Sequence, residues 1–203
     1  MAYCILAHDE VQPIFYYGGG INKKILKKIY AQIDVMSSYY SRVTVTIIQL
    51  HQAYFTYDNS LLSRFLQHFR RELKKRTRYG NRVGYIWVRE QARADTQHYH
   101  IAFLLDGHHC KSAHIVSEIT EEIWMTISGK NFSYRVKNRV YRISKTEEGE
   151  RTLRAARMRL SYFAKNDTKK THKHINSYGV SRLKVNPHAV TLRGPNSARV
   201  ALE

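Results

Sequence analysis

The stretch Val83–Asp106, VGYIWVREQARADTQHYHIAFLLD, leaves little freedom in local structure. Two runs rich in apolar and β-branched or aromatic residues, Gly84–Glu90 and His98–Leu105, flank a polar segment holding Arg93, Asp95 and Gln97. Runs of this length and composition, separated by a short polar loop, predict two strands of a hairpin. Side chains two apart on a strand share a face, so His98 and His100 project together while Tyr99 points the other way. With Glu90 opposite His98, the residues Gly84, Ile86, Val88 and Glu90 lie on the same face as His98, His100, Ala102 and Leu104. One carboxylate and two imidazoles then meet at the open end of a sheet. Two neutral imidazoles and a carboxylate, with coordination positions left open, suit a catalytic divalent ion better than a structural one.

Elements on either side extend the pattern. Ile21, Ile25, Ile29 and Ile33 recur every fourth residue and predict an amphipathic helix over 22–36, with Lys23, Lys24, Lys27 and Lys28 on its wet side. Before it, Pro13 and the Gly18–Gly20 run read as a flexible turn, since the run lacks the sequence of a phosphate-binding loop. Arg42–Leu50 predicts a buried strand. Asn59 or Ser60 caps a following helix whose apolar stripe is Leu62, Phe65, Leu66, Phe69 and Leu73. Ser112–Ser128 predicts a helix, Phe132–Val136 and Arg139–Ser144 a small hairpin around Lys137-Asn138, and Glu148–Asn166 a helix with Leu153, Ala156, Leu160 and Phe163 inward. Asp167–His174 is a basic loop, Val180–Val185 a last strand, and 186–203 a tail. The loop with His108, His109 and Cys110 has no second half at finger-like spacing, so a zinc site is not expected there. Strands linked by hairpins, with helices between them, predict an α+β fold: a largely antiparallel sheet of about five strands flanked by helices. No repeat or linker divides the chain, which reads as one domain over 1–203, with a core at about 40–185 and a helical extension over 1–40.

Charge narrows the partners. The chain carries 34 Lys+Arg against 16 Asp+Glu, a net charge of +18, which favours an anionic partner, with nucleic acid ahead of a membrane surface. Two cysteines without a Cys-X-X-Cys pair point to a reducing compartment, and neither a signal peptide nor an apolar run long enough for a bilayer is evident. A cytoplasmic protein is expected.

A metal trio needs a nucleophile. Tyr162 and Lys165, three apart near the end of the 148–166 helix, share a face offset from the inward Leu160 and Phe163. A free phenol ionises near ~10, so attack at neutral pH needs a cation on the phosphate and a lysine to offset charge.

Together, His98-Tyr99-His100, Glu90 on the preceding strand and Tyr162-Phe163-Ala164-Lys165 resemble the HUH endonuclease superfamily, with the tyrosine after the histidines as in its single-tyrosine replication initiators. WVREQ, HYHIAFLL, SYFAKN and the late YGVSRL are similar to the replication endonucleases of filamentous, inovirus-type phages and their prophage relatives, over roughly residues 40–185. Asn166 stands one turn beyond Tyr162, unlike the two-tyrosine initiators. The resemblance implies a ferredoxin/RRM-like sheet and a rolling-circle initiator that nicks and rejoins single-stranded origin DNA through a 5′-phosphotyrosine. It implies Mg²⁺ or Mn²⁺ on Glu90, His98 and His100, Tyr162 as nucleophile and Lys165 as its partner. Gln97 or Asp95 would position a ligand or DNA, and Arg93, Lys169 and Lys170, near the site in sequence, are DNA-contact candidates. With no Walker-type loop, a separate helicase and the polymerase of a bacterial host would complete replication. The alternatives are a single-tyrosine transposase of the same superfamily and a non-catalytic DNA-binding regulator on the same scaffold.

Overall fold

The computed structural model describes residues 3–7, 10–15, 18–76, 82–91, 94–166 and 175–189. Its centre is a pair of long strands, β3 (Arg42–His51) and β5 (His98–Asp106), antiparallel over their whole length. β4 (Gly84–Glu90) pairs with the other edge of β5, with Glu90 opposite His98 and Val88 opposite His100 as the alternation requires. β6 (Phe132–Tyr134), β7 (Val140–Ser144) and β8 (Tyr178–Val180) complete a six-stranded sheet in the order β6-β3-β5-β4-β8, with β7 also on β3. Every pairing among these strands is antiparallel. The fold is α+β, an antiparallel sheet with helices on both faces.

Period-two alternation sorts the sheet into two cores. Val43, Val45, Ile47, Ile86, Val88, Ala102 and Leu104 face helices α1 (Lys23–Tyr39) and α4 (Glu147–Ser161), which contribute Ile25, Ile29, Ile33, Ala156 and Leu160. Ile48, Leu50, Tyr99, Ile101, Phe103 and Leu105 face α2 (Ser60–Arg76) and α3 (His114–Ser128), which supply Phe65, Phe69, Ile119 and Trp124. Glu90, His98 and His100 belong to the first face, beyond the last apolar layer. The helices begin where local chemistry allows. Asn22 accepts the Ile25 N–H, and Thr146 accepts the Gly149 N–H with Glu147, Glu148 and Glu150 in the following turn, where carboxylates complement the helix dipole. None of the described helices is long and apolar enough to cross a membrane.

Four expectations are corrected. The N-terminal segment is not wholly helical: β1 (Tyr3–Ala7) and β2 (Glu10–Ile14) form a separate antiparallel hairpin, and Ile14 enters the α1/α4 core. Pro13 is compatible because this two-stranded ribbon has only edge strands. Second, β6 and β7 do not pair with each other. Both run antiparallel to the same edge of β3, β6 along Gln49–His51 and β7 along Arg42–Thr46. Lys137-Asn138 is a bulge between them rather than a reversal: Asn138 takes φ 51, and Arg139 still accepts a hydrogen bond from the Ile47 amide. Third, the last strand is Tyr178–Val180 and not Val180–Val185; beyond Val180 only the Ser181 amide continues the ladder, to Tyr85. Fourth, α4 ends at Ser161, and Tyr162–Ala164 form one 3₁₀ turn after which Lys165 is extended.

Candidate active site

The last correction decides where the phenol points. Three residues make one turn of a 3₁₀ helix, so positions three apart lie nearly above one another. Tyr162 and Lys165 are thereby brought together, and the Lys165 ammonium donates to the Tyr162 hydroxyl. The Gly18–Gly20 run, read from the sequence as a flexible turn, fastens this segment. Asn22 donates its amide to the Ala164 carbonyl at 2.7 Å, and Asn166 donates its amide to Gly20 at 3.1 Å and its side chain to Gly19 at 3.0 Å. Gly20 supports the turn with φ 77, which only glycine adopts cheaply. The start of α1 and the end of α4 are therefore one unit behind the tyrosine.

The sheet supplies the other half. On the face shared by Glu90, His98 and His100, one ligand atom from each lies within 4.8 Å of the others, and among the described residues this trio is the group of three donors that meets so closely. His98 Nε2 and His100 Nε2 lie 3.7 and 3.4 Å from Glu90 Oε2, and Lys165 Nζ lies 3.2 Å from the same oxygen. The His100 ring meets the Tyr162 ring edge-on at 5.6 Å. Three of the residues singled out in the sequence, His98, His100 and Lys165, thus converge on one oxygen of a fourth, Glu90, and Tyr162 joins them through Lys165 and the His100 ring. Burial alone would raise the Glu90 carboxyl, but hydrogen bonds from His100 and His98 and the charge of Lys165 more than offset it and hold the group well below the usual carboxylate range. Burial pushes the His100 imidazole down, so it is neutral at physiological pH, the form that ligates a metal. One carboxylate oxygen and two imidazole nitrogens form a donor set that can take a divalent cation.

One neighbour was not evident in the sequence. His51 ends β3 directly opposite His98, and its ring stacks on that of His98 at 5.3 Å with planes 13° apart. On its other side it stacks on Phe132 of β6, at 4.5 Å and 7°. Burial, then the charges of His98 and His100, lower its pKa to about 4. The alternation of Val43, Val45 and Ile47 already assigned His51 to this face, but its neighbours depended on the long-range register of β3 with β5.

Gln97 lies inside the fold. It is fully buried, donating to Gln52 Oε1 at 2.5 Å and Thr56 Oγ1 at 2.9 Å while accepting from the Thr56 amide at 3.3 Å. It therefore secures the loop after β3. Asp95 is exposed, and its carbonyl accepts from Gln91. Arg93, Lys169 and Lys170, with the loop 167–174, lie outside the described residues. His108, in its loop, bonds Ser41 Oγ at 2.9 Å, and His109 faces Asp106 at 3.8 Å, so this loop stands apart from the trio.

A family model described as YagK/YfjJ C-terminal domain matches residues 8–181, which takes in both halves of the site. No curated protein and no solved structure matches the chain.

Proposed function

The chain belongs to the YagK/YfjJ C-terminal domain family, and from that premise we propose that it is a rolling-circle replication initiator endonuclease, which nicks and rejoins single-stranded origin DNA through Tyr162. The observation that carries the reading is the meeting of the Tyr162–Lys165 pair with the Glu90, His98 and His100 trio, where Lys165 lies against Glu90 and donates to the Tyr162 hydroxyl. The +18 charge supports a polyanionic substrate, and the resemblance to phage-type initiators supports DNA.

In this reading Glu90, His98 and His100 hold a divalent cation, which would make the bound phosphate more electrophilic and offset its growing charge. Tyr162 Oη attacks the phosphorus. The new O–P bond forms as the bond to the 3′ oxygen breaks, the phenolic proton is lost to solvent and the departing 3′ oxygen takes up a proton. The products are a 5′-phosphotyrosyl protein and a free 3′-OH able to prime synthesis. Lys165, bonded to the hydroxyl beforehand, stabilises the phenolate and then the bridging oxygen. The backbone bonds from Gly20 and Asn22 fix the turn that presents the phenol, which limits the motion needed to reach an in-line position. Rejoining is the same step reversed, since the phosphotyrosine conserves the energy of the phosphodiester.

The test is a labelled single-stranded oligonucleotide carrying the origin of the gene's own element. With Mg²⁺ or Mn²⁺ the protein should form an adduct that survives denaturation, and Tyr162→Phe should form none. An adduct that persists in Tyr162→Phe, or none with the native protein on any origin strand, would exclude this reading.

A further inference from the structure

Four of the large hydrophobic side chains most exposed to solvent are aromatic and belong to two neighbouring segments. Tyr54 and Tyr57, at 60% and 80% exposure, lie on the loop after β3, and Phe132 and Tyr134, at 54% and 57%, lie on β6. Both segments sit at the end of the sheet that carries the metal trio. Phe132 pairs with His51 and Tyr134 with Gln49, while those β3 residues pair with His98 and His100 respectively. Cross-strand partners share a face, so Phe132 and Tyr134 lie on the same face as the trio, two strand spacings from β5, or about 10 Å.

The rings are ordered. Phe132, His51 and His98 form a ladder of near-parallel planes, 7° and 13° apart, that ends on a metal-ligand candidate. The inner face of Phe132 rests on His51 while over half of the side chain meets water, so the next position in the ladder is open to an incoming flat ring. The backbone below is rigid. The buried Asn131 side chain accepts the Ala53 amide at 3.0 Å, and buried Arg89 donates to the Thr56 and Asp58 carbonyls at 2.5 and 2.7 Å. Cations lie in the same stretch as the rings, and one of them, Arg135, is paired with Glu121 of α3 at 2.7 Å. From Gly129 to Ser144 the chain carries Lys130, Arg135, Lys137, Arg139 and Arg142 and neither Asp nor Glu. Lys130 sits 5.9 Å from the centre of the Tyr54 ring.

We propose that this β3–β6 edge is a base-stacking surface for single-stranded DNA, with Phe132 extending the His98–His51 ladder to an unpaired base beside the scissile phosphate. The choice of occupant follows from charge and geometry together. Exposed aromatics beside cations, on a chain of net charge +18, match a strand with phosphates outside and bases turned inward. Duplex DNA does not fit, because its bases offer no free face. The inference rests on the endonuclease reading for the identity of the strand, but its site lies outside the reacting groups.

Two variants test it. Phe132→Ala/Tyr134→Ala should weaken binding of a labelled single-stranded oligonucleotide on the order of tenfold per stacked base lost, with the slope of affinity against salt unchanged. In Phe132→Trp, an indole at that position should lose emission on adding the single strand and keep it with duplex of the same sequence. Native affinity in the double variant, or an emission indifferent to the single strand, would overturn the proposal. So would a changed salt slope, because the effect would then be electrostatic. Circular dichroism and thermal melting of each variant separate these results from misfolding, and Phe132→Trp retains a ring on His51 if the double variant does not fold. If the native protein binds the strand yet forms no adduct, the endonuclease reading falls, and the stacking surface is judged on the two variants alone.

Discussion

The Lys165 ammonium lies 3.2 Å from the Glu90 carboxylate while donating to the Tyr162 hydroxyl, so one side chain links the proposed nucleophile to the candidate metal ligands. Both partners of the ion pair are almost wholly buried, with side-chain exposures of 7% and 1%. A divalent cation on Glu90 would add positive charge beside that ammonium. Lys165 and such a cation would therefore oppose each other electrostatically while cooperating in the proposed reaction.

The first prediction uses this opposition. Lys165→Met should bind Mn²⁺ more tightly, by about tenfold, because a like charge leaves a site of low effective dielectric, and yet form adduct more slowly. Without metal the same variant should be less stable by roughly 3–5 kcal/mol, the cost of removing one partner of a buried ion pair, and Mn²⁺ should return much of that loss. Titration calorimetry and melting curves with and without chelator measure both. Equal metal affinity in the two proteins would show that Lys165 does not sense the cation.

Removing the imidazoles should do the reverse. His98→Ala/His100→Ala is expected to abolish Mn²⁺ binding and bring adduct formation to background, as chelation should in the native protein. Binding of single strands at low salt should largely persist, since it draws on charge spread over the surface. If cleavage survives in the double variant, the metal-ligand assignment fails.

How far this site was legible in the sequence depended on the range of the contacts. Glu90 facing His98 follows from alternation across a short loop, so the trio could be read directly. Tyr162 and Lys165 are three apart, and their proximity survives the change from an α-helical to a 3₁₀ turn. What could not be read are contacts set by long-range pairing or by backbone atoms. His51 acquires its neighbours only when β3 aligns with β5. The Gly19, Gly20 and Asn22 bonds to the nucleophile's segment involve mostly main-chain groups, which leave no side-chain pattern. Lys137-Asn138 resembles a hairpin turn because asparagine tolerates positive φ, but a single residue at φ 51 bulges an edge strand without reversing it.

Buried Arg89 gives a prediction about the platform's foundation. Its guanidinium donates to the Thr56 and Asp58 carbonyls and to Asn59 Oδ1, and its loss would remove three part-buried, charge-assisted hydrogen bonds. Arg89→Ala should therefore destabilise the protein by about 3 kcal/mol or more, and hydrogen exchange should accelerate first in the loop 52–59. Uniform acceleration across the sheet would instead assign Arg89 to global stability alone.

The response to acid follows from the histidines. Burial, reinforced by His98 and His100, lowers the His51 pKa from 6.5 to about 4. A group depressed on folding contributes stability that is complete above its unfolded pKa and is lost as pH falls through the folded value. The melting temperature should therefore fall as pH drops from about 6.5 toward 4. Glu90, held below the usual carboxylate range, extends the decline at more acid pH, and His100, lowered chiefly by burial, adds to it in the same direction. His51→Phe keeps an aromatic ring between Phe132 and His98 but has no proton to gain, so its melting temperature should fall less steeply between pH 6.5 and 4. Parallel pH profiles for the two proteins would mean that His51 takes up its proton without cost in the fold, and that the stacked ladder does not set its ionisation.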